Sequence, residues 1–267
     1  MTSFLKINNI KKTFNKGLAN EVILFTGLDL EIEKGEFVTI IGSNGSGKST
    51  FFNILSGTYI QDEGTIEFNG KDISKMPEFK RSHFVGRVFQ DPLKGTAPSL
   101  TILENMAMAN NKGKSFNLSK CVDKNLIEGF KQDLIKMNLG LEDKMNVKVG
   151  SLSGGQRQSL SLLMATMCKP DLLLLDEHTA ALDPKTSELI MELTDKVVEE
   201  KEITTIMITH NLKHAISHGT RLLMFHKGNI IMDFKGKEKE DLTVEKLIEK
   251  FNNLNMLDDI GDELAFN

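Results

Sequence analysis

Gly42-Ser43-Asn44-Gly45-Ser46-Gly47-Lys48-Ser49-Thr50 is the stretch on which the fold turns. It completes a G-x-x-x-x-G-K-[ST] pattern. The apolar, β-prone run Phe37-Val38-Thr39-Ile40-Ile41 precedes it, and Phe51, Phe52, Ile54 and Leu55 follow as a helix predicted to end near Gly57. Glycine backbones let successive N–H groups converge on one concavity, and a helix starting near Lys48 adds its orphan amides and positive dipole end. Lys48 contributes a full charge, and the Ser49 hydroxyl suits the cation that accompanies a phosphate chain. The bland alternative is a Gly/Ser-rich turn, which leaves the flanking strand and helix unexplained.

The 267 residues suffice for a single α/β unit or for one core with an inserted subdomain. Hydrophobic content of 40% and charged content of 26% are ordinary for a globular protein, and a net charge of −4 argues against nucleic acid as the main partner. No apolar run approaches the roughly 20 residues that cross a bilayer, and Met1-Thr2-Ser3-Phe4-Leu5-Lys6 lacks the plan of a signal peptide. Cys121 and Cys168 fit neither a metal spacing nor a disulfide framework. The expectation is a cytoplasmic protein whose membrane part, if any, comes from a partner.

Outward from the loop, Phe4 to Phe68 reads mainly as strands, with Leu28, Leu30 and Ile32 alternating against Asp29 and Glu31, and a turn at Asn69-Gly70. Locally, Phe14 reads as a strand residue at a sheet edge sooner than as a ring stacked on a base. Val85 to Gln90 is a short strand. From about residue 91 to 165 the chain turns helical, with a capping box at Thr101-x-x-Glu104 and an apolar stripe of Ile127, Phe130, Leu134 and Met137. A Ser153-Gly154-Gly155-Gln156 loop leads into a helix striped by Leu160, Leu163, Met164 and Met167, which Pro170 is expected to stop. Leu172 to Leu175 forms a buried parallel strand that presents Asp176-Glu177 at its carboxyl edge, where α/β sheets place ligands. Asp183-Pro184 caps the next helix, a β-rich run from Ile203 ends on His210, and a helix from Thr243 to Phe251 precedes an acidic tail, residues 253–267. Two carboxylates beside a phosphate loop divide the work: Asp176 completes a metal shell through water, and Glu177 orients and deprotonates an attacking water.

Taken together, Gly42 to Ser49, Gln90, Leu152-Ser153-Gly154-Gly155-Gln156, Leu172 to Glu177, Ala181-Leu182-Asp183 and His210 resemble the ATP-binding subunit of an ABC transporter. The likeness covers residues 4 to 234, and the Ser-Gly-Gly-Gln signature is its most discriminating part. It implies a phosphate-loop NTPase core with an N-terminal antiparallel β subdomain and an inserted α-helical subdomain at about 91–165, within an ATPase domain of residues 1–252. It implies ATP and Mg²⁺ as ligands. Ser43, Asn44, Gly45, Ser46, Gly47, Lys48, Ser49 and Thr50 would wrap the phosphates, Ser49 and Gln90 would ligate Mg²⁺, and Asp176 would hold it through water. Glu177 would be the general base and His210 would sense the γ-phosphate. Phe14 falls where such subunits carry an adenine-stacking aromatic, which reverses the local reading.

The resemblance further implies head-to-tail pairs, so a homodimer is expected in the presence of ATP. Ser153, Gly155 and Gln156 of one copy would close over the γ-phosphate held by the other, and Asp183 would communicate across the interface. A transmembrane permease, an extracytoplasmic solute-binding protein and a place on the cytoplasmic face of the membrane are implied as well, with residues 91–110 beside the groove that receives the permease. Where many members read Asp-Glu-Pro-Thr, this chain has Asp176-Glu177-His178-Thr179, and His178 reads as a neutral variant in preference to an altered dimer contact. The string from Asp176 to Thr186, with Gly95-Thr96-Ala97-Pro98-Ser99, looks like bacterial importers grouped with tryptophan or tyrosine uptake. A lipoprotein or peptide exporter ATPase and a soluble, non-transport ABC ATPase are the alternatives.

Overall fold

The computed structural model describes residues 3–114 and 121–253. In chain order the elements are β1 (Leu5–Phe14), β2 (Val22–Ile32), β3 (Phe37–Gly42), α1 (Lys48–Ser56), β4 (Glu63–Phe68), β5 (Lys71–Asp72), α2 (Glu78–Arg81), β6 (Val85–Val88), α3 (Ile102–Asn110), α4 (Ile127–Lys136), α5 (Gly154–Thr166), β7 (Leu172–Asp176), α6 (Pro184–Lys201), β8 (Thr204–Ile208), α7 (Leu212–Ser217), β9 (Arg221–His226), β10 (Asn229–Lys235), α8 (Lys237–Glu240) and α9 (Val244–Asn253). They form two compact units, one built from the chain up to Arg81 together with the chain from Thr204 on, the other from Ser82 to Ile203. Beyond Asn253, the expected acidic tail lies outside the described residues.

The first unit carries an antiparallel sheet in the order β2-β1-β4-β5 and a strand set β10-β9-β3-β8, in which β3 runs parallel to both β8 and β9. All six residues of β3 are buried, as an apolar run covered on both faces requires. Its one polar side chain, Thr39, donates its hydroxyl to the carbonyls of Ala215 (2.9 Å) and Arg221 (3.2 Å). Ile41, Leu212, Ala215, Leu222, Met224, Phe234, Leu242, Leu247 and Phe251 close the core between this sheet and helices α7 and α9. In β2, Leu28, Leu30 and Ile32 point inward while Asp29 and Glu31 are exposed, in the alternation read from sequence.

The second unit pairs β6 parallel to β7, with Val88 opposite Leu175, and packs α5 against α3, α6 and β6. The helical insertion expected at about 91–165 lies within it. Thr101 and Glu104 form the predicted capping box at the start of α3, with Thr101 Oγ1 accepting from the Glu104 amide at 3.2 Å and Glu104 accepting from the Thr101 amide at 2.8 Å. Helix α5 ends at Thr166, before Pro170 is reached, and Lys169, directly ahead of the proline, leaves the right-handed helical region for a left-handed φ of 44°.

Candidate nucleotide site

The phosphate loop occupies the turn between β3 and α1. A Cβ on Gly42 would strike the carbonyl oxygen of Phe225 in the neighbouring strand, and one on Gly47 (φ 107°) would lie 2.8 Å from the buried ring of Phe25. Both positions therefore accept glycine alone. The β9–β10 turn supports the loop from outside, with the Gly228 amide donating to the Ser46 carbonyl at 3.0 Å. Lys48 is buried, and its ammonium donates to the carbonyls of Gly42 (2.7 Å) and Ser43 (3.1 Å). Asn44, Gly45 and Ser49 are exposed at the mouth.

Two observations test whether this loop suits an anion. Ser46 Oγ is buried without a hydrogen-bond partner among the described residues, although a buried hydroxyl ordinarily has one. A Cβ built on Gly45 meets no atom within 4 Å, so the concavity is open beside the first amides of α1, which lack intrahelical acceptors. The donor set and the space both fit phosphate.

His210 follows β8 on the strand beside β3. Ile40 pairs with Ile208, and the Thr209 amide donates to the Ile40 carbonyl at 3.1 Å, so His210 and Gly42 leave adjacent parallel strands at the same edge. Phe14 ends β1 half-buried, its ring meeting Tyr59 edge-on at 5.6 Å with the Lys12 ammonium 5.5 Å from its centroid. β1 lies between β2 and β4, so Phe14 stands at the end of an inner strand and not at the sheet edge read from local sequence.

In the second unit, Asp176 ends β7 and Glu177 follows with a left-handed φ of 47°. Gln90 donates its amide nitrogen to Glu177 Oε2 at 3.0 Å, so two of the predicted site residues are brought into contact. Asp176 accepts from Arg87 Nη2 at 2.8 Å, a partner that the sequence reading did not name. Ser153 and Gln156 form a capping box at the start of α5: Ser153 Oγ accepts from the Gln156 amide and Gln156 Oε1 from the Ser153 amide, both at 3.3 Å. The S-x-x-Q spacing was there to be read. Gly155 sits against Thr186 of α6, and Gly154 is exposed. Asp183 caps α6 by accepting from the Thr186 amide at 3.1 Å, and its hydrogen bonds with Thr186 hold its carboxyl below the usual carboxylate range. His178 is buried and bonded to Thr194 of α6, so its side chain is directed into the unit.

A family model described as ABC transporter matches residues 25–180. The tyrosine transport ATP-binding protein of Clostridioides difficile (strain R20291) is 52% identical over 253 residues, covering 92% of this chain and 98% of that protein. Among solved structures, the ADP conformation of an ATP-binding cassette of an ABC transporter matches with a TM-score of 0.76 and 27% identity, covering 94% of this chain and 99% of that one. A dimeric post-hydrolysis cassette bound to ADP and phosphate matches with a TM-score of 0.74 and 30% identity, covering 86% and 98%.

Proposed function

Because this chain belongs to the ABC transporter family, as an ATP-hydrolysing subunit that energises transport, we propose that it drives import of an aromatic amino acid, tyrosine foremost. The observation that carries the cargo assignment is 52% identity along nearly the whole of a tyrosine transport ATP-binding protein. No helix among the described residues is long and apolar enough to cross a membrane. In this reading the chain works through a separate permease at the cytoplasmic face, supplied by an extracytoplasmic solute-binding protein.

The working unit in this reading is an ATP-dependent homodimer, the assembly that a dimeric relative adopts with ADP and phosphate. Residues Gly42 to Thr50 of one copy hold the triphosphate, with the Lys48 ammonium and the amides of α1 meeting its charge. Phe14 stacks on the adenine, and His210 contacts the γ-phosphate. Ser153, Gly154, Gly155 and Gln156 of the second copy close the pocket at the amino end of α5, and Asp183 relays the closure. Ser49, Gln90 and Asp176 offer hard oxygen donors of the kind Mg²⁺ takes, and Gln90, whose amide nitrogen is spent on Glu177, has its amide oxygen left for the ion. Bound there, Mg²⁺ would neutralise phosphate charge. Glu177 takes the proton of the attacking water, and the Gln90 amide orients its carboxylate.

The test is reconstitution of the chain with its native permease and solute-binding protein in proteoliposomes. ATP hydrolysis stimulated by tyrosine enclosed in the lumen with the binding protein, and ATP-dependent passage of that tyrosine from the lumen to the ATPase side, is the expected result. Stimulation by an unrelated solute would reassign the cargo, and extrusion of a lipidated or peptide substrate would replace import with export.

A further inference from the structure

We propose that His178 is a positioning residue for Glu177, holding the base through a buried hydrogen bond from its Nε2 to Thr194 Oγ1. The inference rests on the reading of Glu177 as general base. His178 is 2% exposed and Thr194 is fully buried, with Nε2 and Oγ1 3.2 Å apart. The Thr194 hydroxyl has one proton, and it goes to the Ile190 carbonyl at 2.7 Å, one turn earlier in α6. What Thr194 presents to the ring is therefore a lone pair, so Nε2 carries the hydrogen.

This bond anchors a short segment at its near end, and α6 holds the other end. From Glu177 the chain folds through two turns, with the Ala180 amide donating to the Glu177 carbonyl (3.0 Å) and the Leu182 amide to the Thr179 carbonyl (3.2 Å), and then enters the Asp183 cap. Glu177 itself sits at φ 47°, a region a glutamate occupies at a cost and keeps only where its surroundings impose it. Proline, which many family members carry at this position, stiffens the backbone through its ring. Histidine gives no such restraint and supplies a side-chain tether to a rigid helix in its place. Gln90 steadies the Glu177 carboxylate from β6's side of the unit, and His178 steadies the backbone beneath it.

The experiment compares His178→Phe, Thr194→Val and the double variant in the full chain assembled with its permease, reading kcat, KM for ATP, binding of a fluorescent ATP analogue and the melting temperature. His178→Gln, whose amide can donate to Thr194, is the conservative rescue, and Glu177→Gln is the control. The expected result is a kcat about 10-fold lower in each single variant and no lower in the double, with ATP affinity within about 2-fold of the parent and activity largely restored in His178→Gln. Parent-like turnover in His178→Phe and Thr194→Val, with Glu177→Gln inactive, would overturn the positioning role alone. Loss of turnover that only tracks loss of folded protein would do the same. Sustained hydrolysis by Glu177→Gln would instead remove the base assignment on which the proposal stands.

Discussion

The Arg87 guanidinium lies 2.8 Å from the Asp176 carboxylate, with both side chains only about 15% exposed. The parallel register sets Arg87 opposite Leu174, and the two-residue period of a strand carries Asp176 to that same face. Arg87 also lies over the Phe89 ring at 4.7 Å, so its charge is held by two neighbours. Removing one member of such a pair leaves the other partly desolvated and uncompensated. Arg87→Met should therefore lose about 2 kcal/mol in chemical denaturation, and Arg87→Met with Asp176→Asn less than the sum of the single changes. Strict additivity would mean that the pair contributes no coupling.

The two capping boxes separate a structural from a chemical role for the same motif. Thr101→Ala and Ser153→Ala each remove a hydroxyl that accepts from an amide three residues on, and each should lower stability by about 1 kcal/mol. Thr101 stands outside the proposed site, so its variant should keep its ATPase rate once folded. Ser153→Ala should lose hydrolysis by about 10-fold or more if, as proposed, the same hydroxyl belongs to the signature that closes on the phosphate of a second copy. Denaturation curves and steady-state ATPase rates on matched samples check both.

How much of this was legible in the residues follows from the range of the interactions. Phe37 to Gly57 could be read nearly to the residue, since strand, loop and helix each carry a local signal and both glycine caps of α1 lie where the pattern puts them. Asp176 and Glu177 were legible as the end of a buried strand. Helices α2 and α8, at four residues each, are too short to show a period. β1 hides its extent behind register shifts around Asn9, whose φ is 49°. Arg87 with Asp176, and His178 with Thr194, join residues that sequence spacing does not connect. The substitution at His178 was visible, but its partner was not.

Lys239 of α8 brings a charge into the core, and among the described residues no carboxylate forms an ion pair with it. It is 4% exposed, and its ammonium donates to the carbonyls of Ala215 (2.8 Å), Ile216 and His218 (3.2 Å) at the end of α7. Burial lowers its pKa from 10.5 to about 8. A lysine depressed in this way binds its proton more weakly folded than unfolded. Stability should therefore rise with pH between about 8 and 10.5 and be insensitive to this group below 8. The gain across that window is on the order of 3 kcal/mol. Unfolding free energies measured from pH 7 to 10 should show the rise in the parent and not in Lys239→Met, and equal slopes in the two would refute the assignment.

Arg81 secures the far end of the phosphate-loop helix. Fully buried, it donates to five carbonyls: Ile54 (2.7 Å) and Leu55 (3.1 Å) in the last turn of α1, and Ile73 (2.7 Å), Ser74 (3.2 Å) and Met76 (2.8 Å) in the segment that follows β5. The cation sits at the negative end of the helix dipole, which offsets part of a burial cost large enough to pull its pKa down to about 10. A lysine cannot copy the fork, because its single ammonium has three donors on one atom and reaches one cluster of acceptors. Arg81→Lys should thus leave several buried carbonyls unpaired and cost about 3 kcal/mol, and Arg81→Met at least as much. Because α1 presents the loop at its other end, the same variants should weaken ATP binding under conditions where the protein remains folded. Calorimetric binding of ATP alongside denaturation would measure the two effects separately, and unchanged affinity in a destabilised Arg81→Lys would confine Arg81 to folding alone.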